Sequence, residues 1–306
     1  LGILLAMSFL SASCAIRPAI SAQAERGKAD LSAGVDFDKG ELARLDGVWE
    51  FYDGKLLSPE DFAAEPKPTP NYVRVPSMWA KAEGFPSARE TPVTGVATLR
   101  LRVEVPREGS EWAIRFPNAY SAASLFVNGK RVADLGTVSY HPAFYSPSSS
   151  LALPVFGAEG GTLDIVMQVA NYSAPMIGTW DSPLLGKATA ILKKRQDDVA
   201  TTALISGALL IMGLYHIGLF LLRKKDKASL TFGLICLLMT ARNYMMGERL
   251  FYDLIPQTAG AWEWAFKLQI LSAHMALVMF APFLRRLFPR HVGKAPSIAI
   301  MSAGAV

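Results

Sequence analysis

Residues 199–227, VATTALISGALLIMGLYHIGLFLLRKKDK, divide the chain. From Val199 to Leu222 there is no Lys, Arg, Asp or Glu, and a bilayer core takes roughly 20 helical residues to cross. A helix satisfies its own backbone polar groups in lipid, which an irregular segment cannot do. The run stops at Arg223, Lys224, Lys225, Asp226 and Lys227, a basic cluster of the kind held on the cytoplasmic side. A core helix of a soluble protein would be as apolar, but here the pattern recurs. Residues 228–246 form a second apolar run and 265–284 a third that admits Lys267. A fourth, 295–306, is read as the start of a helix in a bundle that the chain leaves truncated. Arg285, Arg286, Arg290 and Lys294 follow the third run, whereas the connection after the second is rich in aromatic residues, with Tyr252, Trp262 and Trp264. This alternation puts the first and third short loops inside and everything before Val199 outside. Lys193, Lys194 and Arg195 lie on the outer side against the trend, and a long preceding domain translocates regardless of such charges.

Before this stretch the hydrophobic period changes to two. In residues 45–52, LDGVWEFY, Val48 and Glu50 fall on one side and Trp49 and Phe51 on the other, and Asp53-Gly54 follows as a turn signal. Trp49 and Trp79 are assigned to the core. Further strands are predicted at 72–75, 97–105, 111–116, 123–127, 163–169 and 188–192. In 97–105, Leu99, Leu101, Val103 and Val105 point one way and Arg100, Arg102 and Glu104 the other, so one face is expected dry and the other wet. Asn128-Gly129, between Leu125-Phe126-Val127 and Arg131-Val132-Ala133, predicts a hairpin, because a type I′ turn needs positive φ at both central residues. Many short strands, Gly/Pro turns and little amphipathic helix predict an antiparallel all-β sandwich or jelly roll over 45–192, large enough to fold by itself.

The length of 306 residues suggests about two domains. Hydrophobic residues make up 51% of the chain, with the excess concentrated after residue 198. The net charge of +5 is compatible with nucleic-acid binding, but the basic residues gather at membrane flanks and form no stripe among exposed aromatics. No nucleic-acid partner is expected. The two cysteines, Cys14 and Cys236, both fall in apolar runs, so neither a disulfide framework nor a metal cluster is expected. Residues 1–24 read as part of a signal peptide, with Ala22-Gln23-Ala24 as the small-x-small cleavage pattern. Lipidation at Cys14 is the alternative, against which Ser11 stands where an aliphatic residue is usual. An uncleaved anchor helix is a further alternative, opposed by Arg17 and Pro18. Residues 25–44 read as an irregular linker.

Several stretches together resemble the bacterial seven-transmembrane receptors with diverse intracellular signalling modules. In the β region these are residues 45–52, 56–62 (LLSPEDF), 75–79 (VPSMW), 117–122 (PNAYSA), 125–130 (LFVNGK) and 171–186 (NYSAPMIGTWDSPLLG). In the apolar region they are Leu214-Tyr215-His216 with Leu219-Phe220, then Arg223-Lys224-Lys225-Asp226, and Ala241-Arg242 before Gly247-Glu248. Val96 and Leu99 depart from the family pattern, which has aromatic residues there. The resemblance implies an extracytoplasmic jelly roll of carbohydrate-binding, galactose-binding-like type, an α-helical transmembrane bundle, and a cytoplasmic output module such as a histidine kinase or diguanylate cyclase. The β region is also similar to the sugar-binding jelly roll of family 2 glycosidases, in its Leu-x-Gly-x-Trp, Val-Pro-x-x-Trp and Val-Asn-Gly steps.

A glycosidase needs two carboxylates flanking the scissile bond, and the acids here fall in turns and on exposed strand faces. No catalytic residue, cofactor or metal ligand is therefore assigned. Sugar binding needs flat aromatic faces with a few polar partners, for which the candidates are Asn118, Tyr120, Tyr140, His141, Tyr145, Asn171 and Trp180. Packing in the core or in loops is the competing role for each aromatic. Within the apolar region Arg242 is expected to face a partner or a wet cavity, or to snorkel to the interface. His216 and His274 are candidates for polar contacts between helices or for pH-sensitive groups. The expected function is the input region of a receptor in the bacterial inner membrane, with its β domain periplasmic or extracellular. Its expected partners are a small extracytoplasmic ligand, such as a carbohydrate, and the bilayer, and a homodimer is compatible with it. The alternative is a transporter or membrane assembly protein whose β domain docks a partner.

Overall fold

The computed structural model describes residues 19–77, 94–107, 110–116, 121–158, 161–174, 178–179, 181–255 and 258–288. The chain forms two compact units, Leu1–Arg195 with Gln257–Ala259, and Gln196–Pro256 with Gly260–Val306.

The first unit is built on β6 (Gly95–Glu104) and β11 (Thr162–Asn171), which pair antiparallel along their full lengths from Gly95↔Asn171 to Glu104↔Thr162. β4 (Gly47–Asp53) adds to β6, and β5 (Asn71–Val75) adds to β4. β8 (Ala122–Val127) adds to β11, and β9 (Lys130–Leu135) closes the hairpin with β8. The hairpin turn is the expected one: Asn128 and Gly129 have φ of 48° and 81°, the conformation that Asn and Gly adopt at least cost. Among the described residues these strands, with β2 (Lys28–Asp30) beside β6, make a seven-stranded sheet. A five-stranded sheet runs in the order β1 (Ile20–Ser21), β3 (Ala43–Arg44), β12 (Leu184–Lys187), β7 (Ser110–Arg115), β10 (Val155–Ala158).

The period-two pattern produces the core. Leu99, Leu101 and Val103 are fully buried with Trp49, Phe51, Ile165, Met167 and Val169 from the larger sheet and Trp112, Ile114 and Leu185 from the smaller, in one apolar cluster. Trp49 also donates its indole N–H to the Leu45 carbonyl at 3.0 Å. Val96 and Leu99 are both buried, so aliphatic side chains fill the places where aromatics were expected. Trp79 lies outside the described residues.

Residues 25–44, expected as a linker, are instead part of this unit. Ala29, Leu31, Val35, Phe37 and Ala43 all enter the main core, and Phe37 meets Trp112 edge-on at 4.9 Å. Their apolar positions are irregularly spaced because they lie in short bridging strands, so no period announces them. The expected processing boundary after Ala24 also falls inside the fold. Ile20, Ala22 and Ala24 donate backbone hydrogen bonds to Leu42, Arg44 and Asp46 at 2.8 Å, and Val48 donates to Ala24 at 2.6 Å. Gly47, at φ 123°, allows that approach, since a Cβ there would lie 2.2 Å from the Ala24 nitrogen. Because β1 belongs to the smaller sheet and β2 to the larger, residues 20–30 stitch the two together.

Residues 188–192, expected as a strand, form the first turns of α1 (Ala188–Leu222), a helix of 35 residues. Ala188 and Ile191, three residues apart, share one helix face and pack with Ala113 and Leu184. The charged residues 193–198 lie within this helix rather than in a separate juncture. The second unit continues with α2 (Lys227–Met245), α3 (Leu250–Leu254) and α4 (Ala259–Leu287). Asp226 caps α2 by accepting from the Ser229 backbone N–H. Among the described residues two helices, Ala188–Leu222 and Gly260–Leu287, are long and apolar enough to cross a membrane. α2, expected as a further span, is a helix of 19 residues whose apolarity is lowered by Arg242 and Asn243. It packs closely on α1 at Gly213 and Gly233, where a Cβ on Gly233 would lie 2.9 Å from the Gly213 carbonyl oxygen. Small residues at such a crossing let helix backbones approach in lipid. The fourth run, 295–306, lies outside the described residues.

A chain over residues 19–195 is expected to unfold in urea as one unit, and the same chain started at Glu25 to be less stable. The four lost backbone hydrogen bonds, at about 0.5–1.5 kcal/mol each, set a loss of roughly 2–6 kcal/mol. Amino-terminal sequencing of the protein from its native membrane is expected to find Ile20–Ser21 retained.

Candidate functional site

Three groups of polar and aromatic side chains stand out. The first is at one end of the larger sheet, where the register brings Val96, Ala122 and Ala170 side by side. Tyr145 is buried against all three, with Leu56, Val138 and Tyr172 around it. Tyr145 and Tyr172 pack edge to face at 5.2 Å, and the Tyr145 hydroxyl lies 3.4 Å from Ser121 Oγ, which itself donates to the Ala170 carbonyl. The Tyr172 hydroxyl donates to the Tyr140 carbonyl at 2.6 Å, and the Tyr140 hydroxyl accepts from the Leu56 N–H at 2.8 Å. Burial pushes the Tyr145 and Tyr172 hydroxyls above the ordinary phenol range. Tyr140 remains 56% exposed and Phe144 72%, and the exposed His141 ring stands edge-on to Phe144 at 6.5 Å. Tyr140, His141 and Phe144 thus present ring surface to solvent, whereas Tyr145 is structural. Asn171 is fully buried, and its amide closes a turn by donating to the Ala174 carbonyl at 2.9 Å and accepting from the Ala174 N–H at 3.0 Å. Asn118, Tyr120 and Trp180 lie outside the described residues.

The second group was not foreseen. On the outer face of the larger sheet, expected to be wet, Glu50 is 5% exposed. Its Oε1 accepts from Arg102 Nη2 at 2.8 Å, and its Oε2 accepts from the Tyr52 hydroxyl at 2.9 Å. Arg100 forms two parallel bonds with Asp164, Nε to Oδ1 at 2.8 Å and Nη2 to Oδ2 at 2.7 Å. Its guanidinium stacks over Phe62 at 4.3 Å. The Asp164 bond raises the Arg100 pKa. Burial, then the bond to Glu50, pushes the Tyr52 hydroxyl well above the ordinary phenol range. The cover is residues 55–62: the Leu57 N–H donates to Thr98 Oγ1 at 2.8 Å, its carbonyl accepts from Gln168 Nε2 at 3.0 Å, and Phe62 packs with Tyr52 and Val166. A cavity of about 280 Å³ lies on this face, lined by Phe62, Lys67, Pro68 and Pro70 together with Glu50, Tyr52, Arg100 and Arg102. The sequence does show the Arg100/Arg102 pair at strand spacing. That it lies opposite Glu50 and Asp164 depends on register between distant segments.

The third group is in the helical unit and centres on Gln269, which is 7% exposed. Arg242 Nη1 and Ser272 Oγ donate to its carbonyl at 2.8 and 2.7 Å. Its side-chain Oε1 accepts from the Tyr252 hydroxyl at 2.8 Å. Arg242 therefore faces a partner on another helix. Asn243 likewise ties α2 to α1, donating to Ser206 Oγ at 2.8 Å. His216 and His274 instead lie 2.9 Å from carbonyls of their own helices, Met212 and Ile270. The His216 ring packs on Phe232 at 4.6 Å.

Residues 199–306 match the family of 7TM diverse intracellular signalling. With its two long apolar helices, that match makes the chain a membrane protein, in which a compact β unit precedes the matched residues. No curated protein matches the chain. Among solved structures it is similar to a β-glucuronidase from Faecalibacterium prausnitzii at 15% identity and a TM-score of 0.36, covering 47% of this chain and 31% of that one. It is also similar to a β-glucuronidase from Ruminococcus gnavus, at 15% identity and a TM-score of 0.34, covering 47% and 28%. A third similar structure is a GH2 β-galacturonidase from Eisenbergiella tayi, at 15% identity and a TM-score of 0.33, covering 48% and 24%. The chain spans less than a third of the length of each of these enzymes.

Glu50→Ala is expected to lower the stability of residues 19–195 by about 1–3 kcal/mol in urea unfolding, because it leaves the buried Tyr52 hydroxyl without its acceptor and Arg102 without its partner. Glu50→Gln, which keeps an acceptor for Tyr52, is expected to lose less.

Proposed function

We propose that this chain is the input and membrane region of a sensory receptor. The β unit, a jelly roll of carbohydrate-binding type, stands on the extracytoplasmic side and binds a small ligand such as a carbohydrate. The helices carry the resulting shift to a cytoplasmic signalling module. The observation that carries this reading is the match of residues 199–306 to 7TM diverse intracellular signalling, in one chain with a compact β unit that has its own core.

The orientation is supported by Arg223, Lys224 and Lys225 just after α1, which belong on the cytoplasmic side. α1 has 35 residues against the roughly 20 that a bilayer core takes, so the charged turns at 193–198 fit outside the hydrocarbon. The ligand contacts proposed on the β unit are the exposed rings of Tyr140 and His141, with Asn118, Tyr120 and Trp180 as further candidates. A ligand biases two receptor states only by the difference in its affinity for them. The chain between β unit and helices therefore has to transmit that difference.

A glycan and small-metabolite panel, read by the unfolding temperature of the purified chain, is expected to give at least one stabilising ligand, and Tyr140→Ala to weaken it. Silence across the panel counts against direct sensing. Inserting two glycines between Asp197 and Asp198 is expected to leave ligand affinity unchanged and abolish ligand-dependent output. Output that survives the insertion overturns transmission along α1.

A further inference from the structure

The cavity on the outer face of the larger sheet has the composition of a binding site rather than of a gap in packing. Its walls are ring surfaces and prolines, Tyr52, Phe62, Pro68 and Pro70, and its polar groups are Glu50, Lys67, Arg100 and Arg102. Three basic residues thus face one acid there. The acid is already saturated, since Glu50 accepts from Arg102 and Tyr52 and lies 4.0 Å from Arg100 Nη1. Arg100 is also committed, through its two bonds to Asp164.

Arg102 and Lys67 are not. Arg102 gives Glu50 a single bond from Nη2, while its Nε is buried and has no hydrogen-bond partner among the described residues. A buried donor left without an acceptor is unfavourable, so an acceptor that reached it would remove a standing penalty. With 39% of its side chain exposed, Arg102 can turn the other edge of its fork outward to meet one. Lys67 is 69% exposed at the rim, and its contact with Glu65 is loose, at 3.7 Å. A guanidinium matches a carboxylate in two parallel hydrogen bonds, and the flat walls suit a ring or other planar body.

We propose that this cavity binds a small organic carboxylate, with the acid group held by Arg102 and Lys67 and the body packed against Phe62 and Tyr52. This deepens the reading of the β unit as the input and rests on it. It adds a chemical class of ligand and a place for it. Phe62, which lines the cavity, ends a segment, residues 55–62, that also reaches the aromatic end of the sheet: Leu56 N–H bonds to Tyr140 while Leu57 N–H bonds to Thr98. An occupant pressing on Phe62 therefore acts on the segment that holds Tyr140.

The test is calorimetric titration of the full chain in nanodiscs, with empty nanodiscs as the blank. The probes are acetate, benzoate and glucuronate, each beside its neutral counterpart, acetamide, benzamide and glucose. At least one carboxylate is expected to bind at least tenfold more tightly than its counterpart. Lys67→Glu, an exposed substitution that leaves the fold untouched, is expected to weaken it at least fivefold, and Arg102→Lys to do the same while keeping the charge beside Glu50. Binding that is unchanged in both variants, or equal for the neutral counterparts, overturns the site while leaving the β unit as input intact. No binding by any carboxylate, while a neutral glycan raises the unfolding temperature, does the same. Silence of every probe and every glycan overturns both.

Discussion

The β unit depends on one antiparallel ladder, Gly95–Glu104 against Thr162–Asn171. Every other strand of the larger sheet is added to one side or the other of that pair. The pair also separates two environments. Leu99, Leu101, Ile165 and Met167 face the core shared with the smaller sheet, while Arg100, Arg102 and Asp164 face outward. A slip of one residue would exchange these sets, burying guanidinium groups among the aliphatic side chains. The register is therefore held by the energetic gap between two faces of one strand pair.

The outer face is covered as well, and that changes the chemistry it can hold. Charges on a wet strand face are screened and contribute little. Once residues 55–62 lie over them, each charge needs a partner, because removing it from water is costly. Glu50, Arg100, Arg102, Asp164 and Tyr52 meet that demand among themselves except at Arg102 Nε. The geometry that stabilises this layer is thus the same geometry that leaves a donor for something else.

The helical unit obeys a related rule. Lipid offers no hydrogen bonds, so polar groups in helices find each other or a backbone carbonyl. Gln269 gathers Arg242, Ser272 and Tyr252 in this way. Asn243 does so with Ser206, beside the close approach of Gly213 and Gly233. These contacts tie α1, α2 and α4 by direction-specific bonds rather than by apolar area alone.

By itself the sequence determined the division into a β region and apolar helices, the two-face character of residues 97–105, and the Asn128-Gly129 hairpin. Each of these is written in local spacing: a run long enough for a bilayer, a period of two, and a dipeptide that tolerates positive φ. Tertiary structure decided the rest. Residues 20–44 joined the fold because short strands can be bridged by backbone hydrogen bonds that carry no side-chain period. Residues 188–192 became helix because Ala188 and Ile191 found a shared apolar partner surface, where alternation over five residues had suggested a strand. Of the candidate ligand residues, Tyr140 and His141 stayed exposed while Tyr145 and Asn171 were drawn into packing and a turn, a choice set by which strand ends lie side by side. The charged cavity was invisible for the same reason: Glu50, Arg100 and Asp164 are far apart in the chain, and only the register of three strands brings them to one face.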